Sequence, residues 1–84
     1  MTDYAHLLRV AIGLELRDAR ERAGLSRKRL AALTEGAASA SFIEAVESGR
    51  GNPSFLRVAK MAHALDLSLA EIAERAEGRV RADE

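Results

Sequence analysis

Between Leu25 and Glu71 the chain alternates helix-starting serines, short apolar runs and glycines: LSRKRLA, a turn containing Gly36, SFIEAVESGRGNPS, then FLRVAKMAHALDLSLAEI. A serine ahead of a helix accepts a bond from a backbone N–H that the first turn leaves without a partner. A glycine past the last turn takes a left-handed φ without steric cost. Apolar residues recur at three and four positions, the helical rather than the extended period. Short helices joined by tight turns are what this pattern can build. Composition agrees, because the apolar 48% is mostly Ala and Leu, with one Tyr and two Phe. A sheet would draw on Val, Ile, Thr and aromatics instead.

Five helical segments follow. The first is expected from about Asp3 to Ala23, with Leu8, Ile12, Leu16 and Ala19 inward and Gly24 closing it. Ser26 caps the second, which turns Leu30, Ala31 and Leu33 inward. Ser39 or Ser41 caps the third, with Ile43 and Val46 inward, and Ser41 with Glu44 spells a capping box, as does Ser68 with Glu71. Gly49, Gly51 and Pro53 mark a tight loop before Ser54, which opens a fourth helix burying Val58, Met61, Ala62 and Leu65. Leu67 and Leu69 lead into a short fifth helix ending near Ala76. Residues 1–77 are then one domain, and residues 78–84 (GRVRADE) a polar tail expected to fray. Helices two and three form a helix-turn-helix arrangement, whose second helix normally enters the DNA major groove.

Charge and residue usage narrow the function classes. The 84 residues fit one small core, and the absence of cysteine excludes disulfides and thiolate metal sites. His6 and His63 are isolated, so neither a metal site nor a cofactor is expected, and the serines read as caps rather than nucleophiles. Catalysis is not expected. Arg9, Glu15 and Arg17 break the longest apolar stretches, and no signal-peptide pattern precedes them. A cytoplasmic protein without membrane contact is the expectation. Net charge is zero, yet residues 1–30 hold seven basic and four acidic side chains while residues 61–84 hold three and six. A domain with that gradient can turn a basic end towards phosphates.

The series LRxxRxxxGLS, xxLA, a glycine turn, SxSFIxxxExG, xNPS and AxALxLSLxEI resembles the lambda-repressor-like helix-turn-helix family, which includes phage repressors and the XRE group of bacterial regulators. The likeness spans about Ile12 to Ala73. It implies an all-α, compact five-helix bundle, whose first helix this chain's own N-terminal residues extend. It also implies sequence-specific binding of double-stranded operator DNA as a homodimer, as in small phage repressors or restriction-modification controllers.

By the same resemblance, Arg20 and Glu47 fall where the family links its first helix to the end of the third. Such a pair fixes orientation more than it adds net stability. Ser26, Arg27 and Lys28 open the second helix, where backbone N–H groups, the dipole and two cations favour a phosphate. Arg50 and Asn52 match positions that usually touch a second phosphate, although Asn52 ahead of Pro53 also serves as a turn residue.

The third helix is poorly equipped for reading bases. Its candidate contacts are Ser39, Ser41, Phe42 and Ala45, and no Arg, Lys, Asn or Gln occurs between Leu30 and Arg50. Those four types dominate direct readout. Phe42 and Ala45 can meet thymine methyls, and Ser41 discriminates weakly. Between Leu30-Ala31 and Ser41-Phe42-Ile43 the chain also carries two residues more than the family pattern. A rival reading follows, in which this surface of small residues binds a protein partner and has lost base readout. At the start of the chain, Tyr4, Leu7, Leu8, Ala11 and Leu14 supply apolar surface either for the fifth helix or for self-association.

Overall fold

The computed structural model describes residues 3–83. Five helices follow in order: α1 Tyr4–Arg22, α2 Arg27–Leu33, α3 Ala40–Glu47, α4 Phe55–Ala64 and α5 Leu69–Ala82. No strand occurs among the described residues. Each helix starts where a side chain can serve its orphan N–H groups. Asp3, Ser26, Ser39, Ser54 and Ser68 accept from the backbone of Ala5, Arg29, Phe42, Arg57 and Glu71 respectively. Each cap contributes about 1 kcal/mol. The Ser68–Glu71 capping box forms in both directions. The Ser41–Glu44 box does not: Ser39 takes the cap, which places Ser41 inside the first turn, and Glu44 turns to Ser48 and Arg50 instead.

Leu16, Leu30, Ile43, Val46, Met61 and Ile72 are fully buried where the five helices meet. Burying a side chain of this size stabilises by roughly 1.5–3 kcal/mol. Along one side α1 packs against α5, and it crosses α3 at Gly13. A Cβ on Gly13 would overlap the Val46 carbonyl oxygen, so only glycine permits this approach. Leu33, expected inward, is 42% exposed. The short second helix stops at that residue, and the turn buries Thr34 in its place.

The fifth helix also departs from the expectation. It continues past Ala76 to Ala82, through residues read as a frayed tail. Two side chains hold it. Val80 is buried against Ala11 and Ala76, and Arg79 donates to the carboxylates of Glu15 and Asp18 on α1. The bond to Glu15 is the main reason the Arg79 guanidinium holds its proton above the usual arginine range. Leu7 and Leu8 join the Ala11–Val80 cluster, which leaves Tyr4 and Leu14 as the exposed large apolar residues of α1.

Candidate nucleic-acid interface

The third helix is fixed at its C-terminal end by a carboxylate that serves two other helices. Glu47, 4% exposed, accepts from Arg20 Nε at 2.6 Å and Arg20 Nη2 at 3.1 Å. It also accepts from Arg27 Nε at 2.9 Å. Arg20 spends a further N–H on the Leu25 carbonyl at 2.7 Å. One buried anion therefore ties α3 to the end of α1 and the start of α2. Its hydrogen bond pushes the Arg20 pKa up, against the opposing effect of burial. The Arg20–Glu47 contact was expected; Arg27 as a second partner of Glu47 was not. Two arginines on one carboxylate satisfy its lone pairs more fully than one could.

The other end of α3 is set by the turn. Thr34 Oγ1 donates to the Ala31 carbonyl at 2.7 Å, and its contacts with the Ala38 carbonyl and N–H are both 3.2 Å. Glu35 and Gly36 then take positive φ of 54° and 90°. The extra turn residues are thereby spent in the loop, and α2 keeps only seven residues.

Between these anchors α3 exposes Ser39 and Ser41 and half-exposes Phe42, Glu44 and Ala45. Phe42 is less outward than expected, since its ring packs on the core cluster and lies under Arg57, whose Cζ is 4.5 Å from the ring centroid. Arg50 donates to Glu44, which holds that carboxyl below its usual range, with Ser48 adding a second bond. The structure thus brings Arg27 and Arg50 to α3 through its two carboxylates. Lys28 and Asn52 are exposed and bond to no other side chain among the described residues. The sequence does not mark Arg57, whose partner Phe42 lies on another helix across a loop of unknown course; Thr34, with partners three and four residues away, gives a signal that any turn threonine shares.

Phe55 and Leu56, 71% and 65% exposed, are the most exposed large apolar side chains among the described residues. They stand at the start of α4, and Phe55 borders an apolar groove that reaches Leu8, Ile12 and Leu69. Among the described residues no cluster of metal-ligating side chains occurs. No helix among the described residues is long and apolar enough to cross a membrane.

A family model described as a helix-turn-helix domain matches residues 11–75. Two solved structures of the clp gene regulator ClgR from Corynebacterium glutamicum are similar in fold and sequence. In one, the TM-score is 0.76 at 32% identity, covering 84% of this chain and 88% of that one. In the other, the TM-score is 0.82 at 30% identity, covering 90% and 79%. None of the curated proteins matches significantly.

Proposed function

This chain belongs to the helix-turn-helix domain family, and from that premise we propose that it regulates transcription by sequence-specific binding to an operator as a homodimer. Membership and the likeness to the gene regulator ClgR make it a DNA-binding regulator rather than an enzyme. The observation that carries the finer reading is the Glu47 network. It fixes the exposed face of α3 and the Arg27 guanidinium as parts of one rigid surface. Ser39, Ser41 and Ala45 then enter the major groove, with Phe42 half-buried at their edge, while Arg27, Lys28, Arg50 and Asn52 meet phosphates on either side. The lambda-repressor-like docking mode supplies this arrangement, and half-sites lie about 34 Å apart. The exposed Phe55 and Leu56, with the groove that Phe55 borders, support the dimer as an apolar surface available to a second copy. The protein acts in the cytoplasm, where bacterial or phage operators are.

The test compares binding to the duplex upstream of the protein's own gene with binding to a scrambled duplex of equal length. The parent should prefer its own upstream region at physiological salt. Ala45→Glu should abolish that preference while the thermal melt stays close to the parent's, because a long acidic side chain clashes with the groove and repels phosphate. The double variant Lys28→Ala, Arg50→Ala should weaken both duplexes alike and lower the salt slope by about two units. A parent that shows no preference would instead favour a protein-interaction module that keeps the fold.

A further inference from the structure

The cations around α3 are not equally available. Arg27 is bonded to Glu47 and Arg50 to Glu44, so each shares its charge with a carboxylate of α3. Arg57 carries none. It is exposed on the first turn of α4, has no acidic partner among the described residues, and rests on the Phe42 ring of α3. We propose, on the DNA-binding reading above, that Arg57 is a DNA phosphate contact supplied by α4 to the recognition surface.

Three features support this role. Stacking uses the flat face of a guanidinium and leaves its N–H edges open, and those edges are the ones that grip phosphate oxygens. The ring that holds it belongs to α3 itself, so the charge rides with the helix placed in the groove and keeps its distance from it. Phe42 is also packed on the core cluster, which makes it a fixed platform. Holding a long side chain in place before binding reduces the rotamer entropy lost on contact. The arrangement further answers the composition of α3, which has no Lys or Arg of its own between Ala40 and Glu47. The cation is borrowed from the neighbouring helix.

The experiment measures binding of the full chain to the own-upstream and scrambled duplexes across a salt series, for the parent, R57Q, R57K, F42L and R81Q. Arg81, exposed near the end of α5, controls for loss of charge as such. One phosphate contact contributes about 0.9 to the slope, which amounts to about five-fold in affinity at ~0.15 M salt. R57Q should therefore lose about five-fold on both duplexes and about 0.9 in slope. R57K and R81Q should keep the parent slope. F42L, which removes the ring but keeps an apolar side chain, should keep the slope and lose about two- to five-fold. An R57Q slope equal to the parent's would overturn the contact. A loss confined to the own-upstream duplex would overturn it as well, since Arg57 would then read bases. Either result would leave the DNA-binding reading intact. A parent that binds neither duplex would overturn both.

Discussion

Glu47→Gln is the most informative single change in this chain. The native carboxylate accepts three hydrogen bonds from two arginines while only 4% exposed. Glutamine keeps one oxygen and turns an NH2 donor towards a guanidinium, so at least one Arg20 N–H loses its acceptor and the Arg20 charge loses its counter-charge. Arg20 cannot escape to solvent, being 8% exposed and pinned to the Leu25 carbonyl. Arg27 is more exposed and can rehydrate, so its loss adds little. Stranding one buried, partly hydrogen-bonded cation costs about 2–4 kcal/mol. A chain of this length has roughly 4–13 kcal/mol in total. The melting temperature should therefore fall by about 8–30 °C. Circular dichroism melts of Glu47→Gln beside Glu44→Gln give the comparison, because Glu44 is an exposed carboxylate whose arginine partner stays in water. The double variant Arg20→Met, Glu47→Leu should recover much of the loss, since apolar replacement removes both desolvation costs together. Equal melting temperatures for the Gln variants, or a double variant no better than Glu47→Gln, would refute the buried-anchor account.

Gly13→Ala should destabilise by about 1–3 kcal/mol in denaturant melts, although alanine is the better helix former, because the methyl strikes the Val46 carbonyl oxygen where α1 crosses α3. Ending the chain at Gly78 should cost about 2 kcal/mol, through loss of the buried Val80 side chain and the Arg79 clamp; an unchanged melting temperature would mean that the end of α5 adds nothing. In acid, Glu71 and Glu44 have folded pKa values below their usual range, Glu71 chiefly through its bond with the Ser68 backbone and Glu44 through Arg50. The unfolded chain then takes up protons first, so their contribution is complete above the usual carboxylate range and is lost as pH falls through it and below. Glu71→Gln should flatten the acid limb of a melting-temperature profile relative to the parent.

The helix count was legible in the sequence because caps, glycines and apolar spacing are local signals. All five starts lie at or within one residue of a capping side chain that the sequence shows directly. The ends were harder. Residues 78–82 read as polar because Arg79 and Arg81 flank Val80, yet helical geometry turns Val80 towards Ala11 and gives Arg79 two acids on α1. Nothing local distinguishes that from a frayed tail; α1 supplies the stability from more than sixty residues away in the chain. Leu33 failed in the opposite sense, since the amphipathic pattern placed it inward but the helix ended before its face could be buried. At the site, Arg20 with Glu47 was legible only through the family's spacing. Arg27 on the same carboxylate, and Arg57 on Phe42, depend on the angles between helices, which spacing does not encode.

Those angles also bear on what kind of reader α3 makes. Its C-terminal end is held by a buried carboxylate, its N-terminal approach by Thr34 against Ala38, and its middle by Phe42 on the core. A helix fixed at three places has little freedom to adjust to a mismatched site, so discrimination must come from how well the DNA fits the helix. Ala40, Ser41 and Ala45 are short, which lets the helix backbone come closer to the base edges than long polar side chains would. In the proposed complex, a close, rigid ridge of this kind would sense groove width and thymine methyls and transfer selectivity to sequence-dependent deformability. The cations proposed to meet phosphates, Arg27, Lys28, Arg50 and Arg57, all lie outside α3. In the proposed complex, affinity and selectivity therefore reside on different elements. Substitutions at those cations should move the salt slope at constant preference, and uncharged substitutions at Ser41 or Ala45 should move the preference at constant slope.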